Sequence, residues 1–339
     1  MLSAAAASLA LPGVSSLHAQ NHGWAIRQSS QMDLWFHGVA LTGFEGLGPL
    51  PLYRPGYAGA VRRDRGALRP TRLEREGGRF LDAFRGDSSF EVVHFLPLYF
   101  VTTDRADMLE ALRLVAAEGS VAVSRVPRTA RFGAAAEASL FSTSEERSEL
   151  AAFVAALGDE WATTYGSEWQ RVAPGSGAVV SEAQRRWRQE YEPSLRPFLT
   201  RYRLDGGVIY VVASLGPEGR FFPGSPRERN DKIVAVGLPA GVDAEGILFE
   251  SVRELCFPAV RRAVPLPESE RASGERSSSH AAVRCGDLVV ARYLPARRDA
   301  YRQFWLALTG APGGVSLESA FPLTAPQLSA LARAVAPGP

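Results

Sequence analysis

The chain has 339 residues, of which 46% are hydrophobic, 22% charged and 9% aromatic. Those proportions exclude a disordered chain, a collagen-like repeat and a small disulfide scaffold, and the length allows about two domains. Basic and acidic residues nearly balance (38 against 36, net +2) and Lys232 is the only lysine, so bulk charge gives no case for nucleic acid.

Met1 to Gln20 reads MLSAAAASLALPGVSSLHAQ, with an apolar Ala4–Leu11 segment, a break at Pro12-Gly13 and a small residue at Ala19. This pattern predicts a signal peptide over 1–19 and export to the periplasm or medium, although no Lys or Arg precedes Arg27. No stretch reaches the roughly 18 apolar residues of a spanning helix. The remainder divides near residue 200, into a mainly helical region over 20–200 and an α+β region over 201–339.

In the first region, Gly43 to Gly59 is a Gly/Pro-rich loop, and Arg62 to Arg79 carries both signs of charge, as a solvated surface does. Phe90 to Thr102 is apolar, but Pro97 argues against a central strand. Asp104 begins a helix with Met108, Leu109, Leu112 and Val115 on one stripe, stopping at Gly119. Gly119 to Val126 is a candidate strand. Ser144, followed by Glu145 and Glu146, caps a second helix bearing Leu150, Phe153, Val154, Leu157 and Trp161. Gly175-Ser176-Gly177 reads as a linker, and Ser181 caps a third helix ending before Pro193.

The second region holds the strand signals. Val208 to Leu215 and Lys232 to Gly237 are β-rich runs around a loop from Gly216 to Arg229, forming a hairpin or a neighbouring pair that needs further strands from elsewhere. Helices are predicted over 244–264, 279–293, 295–308 and 324–335, with a surface loop from Pro265 to Ser279. The fold class is therefore α+β, mostly helical, with a small sheet preceding the helix of residues 244–264.

Strands followed by a helix bearing Arg253-Glu254-Leu255-Cys256-Phe257 are the one arrangement with a chemical precedent. It resembles the core of zincin-like metallopeptidases of the gluzincin type, in which a sheet edge precedes a helix carrying HExxH and a following helix supplies a third ligand. In that motif two His at i and i+4 hold zinc while the Glu activates the bound water. Here only the general-base position, Glu254, is retained, and neither Arg253 nor Phe257 can coordinate zinc. The resemblance covers roughly residues 205–308 and implies a pseudo-enzyme. It also implies that Arg253 points to where the metal would sit and neutralises orphaned carboxylates, with Glu250, Asp287 and Glu275 as candidate partners. Read without the resemblance, the same residues make a surface helix with Glu250 and Glu254 exposed at i, i+4.

Other constellations are weak. Cys256 and Cys285 permit either a disulfide, contributing on the order of 3 kcal/mol, or two buried free thiols. His22, His37, His94 and His280 show no metal-ligand spacing; His37 and His94 read as hydrogen-bonded core histidines, and Trp161, Trp169 and Trp187 as core aromatics. There is neither a nucleophile elbow nor a P-loop.

The expected function is thus an exported, non-catalytic, metallopeptidase-like protein with a binding or scaffolding role in a bacterial cell envelope. No cofactor and no metal are expected, and the partner is a peptide or protein. A peptide would add as a strand beside the Glu254 helix, touching Phe221 and Phe222 exposed in the loop from Leu215 to Asp231. The alternative is an exported hydrolase using Glu254 without zinc, which requires Glu254 in a cleft with a raised pKa.

Overall fold

The two β-rich runs pair directly, but in parallel rather than as a hairpin. The computed structural model describes residues 23–44, 50–85, 93–100, 104–224, 232–238, 243–264, 271–310 and 314–336. The expected leader lies outside them, as do residues 265–270 and the side chain of Glu275, whereas residues 271–279, expected as surface loop, begin the helix Arg271–Tyr293. Strand β1 is Trp24–Arg27, β2 Gly207–Val212, β3 Arg220–Phe222 and β4 Lys232–Gly237. The sheet order is β1-β2-β4-β3, with β1, β2 and β4 parallel and β3 antiparallel to β4. The extra strands therefore come from Trp24–Arg27 and from within the loop. Gly119 to Val126 supplies none, because Gly119–Ser124 forms a 3-10 turn.

Alternation along the strands builds two cores, one on each face of the sheet. Tyr210, Val212, Ile233 and Ala235 point to the first face. Ile209, Val211, Val234 and Val236 join Trp24 and Ile26 on the second. Gly207 is glycine for a steric reason: a Cβ there would lie 2.4 Å from the Lys232 carbonyl oxygen and 2.7 Å from the Trp24 ring.

The first face is covered by helices Ser30–Leu41, Arg105–Glu118 and Ser144–Glu160, among others. Asp104 caps the second of these as expected. The third is capped by Thr143 rather than Ser144, through a reciprocal box with Glu146. The opposite face is covered by Ala244–Leu255, Arg271–Tyr293, Arg298–Leu308 and Ala325–Val335. The molecule is mostly helical α+β, and among the described residues no helix is long and apolar enough to cross a membrane.

One helical path connects the two layers. Ser144–Glu160 continues through a π turn at Trp161–Tyr165 into Gly166–Arg186, then through a second π turn at Trp187–Tyr191 into Glu192–Arg201. Leu150, Phe153 and Leu157 sit in the first core, whereas Val180, Ala183, Trp187 and Leu195 sit in the second. The expected linker Gly175-Ser176-Gly177 is therefore helical, and Ser181 caps nothing. Burial of the flanking apolar residues outweighs the weak helix propensity of two glycines and of Pro174.

Candidate functional site: a buried arginine–glutamate pair

The helix Ala244–Leu255 follows β4, is capped by the Asp243 carboxylate, and is buried along nearly its whole length. A helix buried all round has no wet side on which to place charge, so each polar residue it carries must be bonded or neutral. Glu250, Arg253 and Glu254 are all buried, Arg253 and Glu254 completely. The reading of Glu250 and Glu254 as an exposed surface pair is thereby overturned.

Each of the three side chains is accommodated differently. Glu250 Oε2 accepts the Gly237 N–H at 2.8 Å, where β4 ends. Burial, followed by the neighbouring Glu254 charge, holds its carboxyl well above the usual range against the opposing pull of that N–H and of Arg253. Glu254 Oε1 accepts from Arg253 Nη1. Its pKa is raised by burial and pulled back by Arg253 and Arg220. Arg253 Nη2 donates to Ser279 Oγ at 2.8 Å, on the helix Arg271–Tyr293. Its guanidinium carbon lies 5.3 Å from the Phe257 ring centroid and 5.9 Å from that of Trp305, within cation–π range.

The ion pair thus goes to Glu254 rather than to the expected partners. Glu250 is occupied by the end of β4. Asp287 is taken by Arg298 (3.1 and 3.2 Å) and Arg302 (3.7 Å). The space beside Glu254 is closed by β3: a Cβ on Gly219 would lie 3.0 Å from the Glu254 carboxyl carbon and 2.5 Å from the Ala235 carbonyl oxygen. Glu254 therefore has the burial that metal-free hydrolysis requires, but no exposed atom with which to meet a substrate.

The contact residues fare differently. Phe221 points into the second core, only 6% exposed, so it offers no surface to a peptide. Phe222 is half-buried against Tyr99 and Phe132, with ring centroids 4.6 and 6.4 Å apart. Cys256 and Cys285 are buried free thiols lying against one another, and burial pushes the Cys256 thiol well up.

These residues do not fit zinc. Arg253 and Phe257 hold the two ligand positions, and among the described residues no three His, Cys, Asp or Glu side chains converge as a metal site. The sequence singled out Arg253 and Glu254 but missed Ser279 and Trp305, which no spacing announces. Phe257 was visible, four residues after Arg253 and so on the same helical side. No family model matches the chain, and neither a curated protein nor a solved structure is significantly similar to it.

Proposed function

We propose that this is an exported, non-catalytic protein built on a degenerate metallopeptidase-like core, serving a binding or scaffolding role in the cell envelope. The observation that carries the reading is Arg253, buried completely at the first ligand position of the motif, with its charge spent on the retained Glu254. A guanidinium there supplies the positive charge that a metal would otherwise supply, while offering no Lewis acid and no activated water. The arrangement around it supports the same reading: an antiparallel edge strand, a helix packed beneath it, and a following helix that contributes Ser279. Export rests on the leader-like pattern of residues 1–19.

Purified mature protein is expected to contain no stoichiometric zinc and to leave casein and peptide libraries uncut, with added zinc changing neither result. Stoichiometric zinc, or hydrolysis abolished by Glu254→Gln, would overturn the reading. Appearance of the unprocessed leader in the cytoplasmic fraction would overturn export.

A further inference from the structure

The three parallel strands β1, β2 and β4 end together, and the residues that follow them, Gln28, Ala213 and Leu238, line one crevice of about 220 Å³. In sheets with parallel strands, the carboxyl ends are where ligands bind. The volume suits one compact organic molecule.

Its floor is Asp33, 2% exposed, on the helix Ser30–Leu41. Oδ1 accepts the Ala213 N–H at 3.0 Å and Oδ2 accepts the Trp169 Nε1–H at 3.0 Å. Both donors are neutral, and the described residues give this carboxyl no cationic partner. Burial raises its pKa to about 6 against those two hydrogen bonds, so at neutral pH it is ionised. Glu137 shows the contrary case: it too is buried without a partner, but its pKa of about 9 leaves it neutral. Asp33 therefore keeps a buried negative charge that the fold does not balance, beside open space.

A second wall has its polarity set from behind. Tyr57 lines the crevice, and its Oη lies 2.7 Å from His37 Nδ1. His37 Nε2 lies 3.1 Å from Glu160 Oε1. Burial works to raise the Glu160 pKa, but its hydrogen bonds to His37 and Thr71 and the charge of Arg65 prevail and hold it below the usual carboxylate range. Burial, in turn, lowers the His37 pKa against the opposing pull of Glu160. A carboxylate can only accept, so Nε2 carries a proton, and in the neutral imidazole that burial favours Nδ1 accepts from Tyr57. The phenol hydrogen is thus committed backwards, and the Tyr57 lone pairs face the crevice.

The available polar groups consequently ask for a donor. The Ala213 and Trp169 N–H groups are spent on Asp33, whose oxygens retain lone pairs, and Tyr57 presents an acceptor. Among the charged lining residues, Glu168 is paired with Arg65 at 3.1 Å, which leaves Asp33 and Asp64 against Arg171. Tyr57, Tyr165 and Trp169 add aromatic surface, whose π faces attract cations.

We infer that this crevice binds a small organic cation, a protonated amine on a compact apolar body, with Asp33 as counter-ion and Tyr57 accepting an ammonium N–H. The inference is independent of the Arg253 reading and survives its failure.

Isothermal titration calorimetry of the full mature chain at neutral pH tests it with three probes of similar shape: phenethylammonium, 2-phenylethanol and phenylacetate. The amine is expected to bind one-to-one and at least about tenfold tighter than the alcohol, with phenylacetate weaker still. Asp33→Asn should weaken the amine by about tenfold or more, and Tyr57→Phe by a few-fold, while leaving the alcohol little changed. Alcohol or phenylacetate binding as tightly as the amine in the unmodified protein overturns the inference. So does an amine affinity indifferent to both substitutions, or the lack of saturable amine binding up to about 10 mM. The comparison among probes needs no variant, so it stands even where Asp33→Asn perturbs folding.

Discussion

Glu254 and Asp33 are buried carboxyls on opposite faces of one sheet, and they differ in who supplies the opposite charge. Glu254 receives it from Arg253, one residue away in sequence, and the group is sealed under β3. Asp33 receives only neutral N–H groups and opens onto the crevice. Burial alone therefore says little about function; what matters is whether the chain completes the electrostatics by itself. A completed pair is structure, and an incomplete one is a site.

The strongest way to break that comparison is to remove the internal counter-ion. Arg253→Ala leaves Glu254 uncompensated in the core and is expected to cost about 3–5 kcal/mol in urea unfolding. Replacing both charges, as Arg253→Met with Glu254→Leu, should recover most of that loss. A loss of only a few tenths of a kcal/mol from Arg253→Ala would show that the pair does not hold this region together.

Glu137 sharpens the comparison, because it is completely buried and among the described residues neither of its carboxyl oxygens has a hydrogen-bond partner. Its folded pKa of about 9 exceeds the ordinary 4.5, so the stability its proton contributes is complete below about pH 4.5 and is lost as pH rises through 9. Glu137→Gln should therefore match the parent near pH 4 and exceed it by about 3 kcal/mol at pH 7. Equal pH–stability profiles for the two proteins would refute this account.

Asp33 should show the same sign over a narrower window. With a folded pKa of about 6 against 3.8, its contribution is full below about pH 3.8 and declines through pH 6, by about 3 kcal/mol in all. The difference between parent and Asp33→Asn profiles isolates this change from Tyr57, Tyr165 and Glu168, which face the same space, and from Arg54 and Arg65 behind Tyr57. A bound amine should reduce the decline, and a decline unaltered by saturating amine would sever the link between the charge and the ligand.

Much of the fold was legible because its signals are local. Asp104 with Met108, Leu112 and Val115 marked a helix, and the Val208 and Lys232 runs marked the two central strands. What stayed hidden depends on distant partners. β1 has four residues and β3 three, too few for alternation to register. The parallel pairing of β2 with β4 was hidden too, because β3 turns back within the loop that joins them. Gly175 and Gly177 looked like a linker because propensity carries no knowledge of what Val180 and Ala183 will pack against.

The candidate sites divide in the same way. Arg253 and Glu254 were visible as a motif, whereas their burial and Ser279 were not. Asp33 and His37 stand four apart on one helix, but that spacing is equally that of a core stripe. Only Trp169, Tyr57 and Glu160, brought from 136, 20 and 123 residues away, give the two residues their chemistry.

The helical path from Ser144 to Arg201 has a consequence for how the chain can be divided. It carries apolar residues of both cores, and β1, from the N-terminal region, completes the edge of a sheet whose other strands follow residue 205. Neither half separated near residue 200 holds the surfaces that its own core buries. Fragments 23–200 and 201–336 should each remain unfolded alone and regain structure only when mixed, so the intact chain should melt as one cooperative unit.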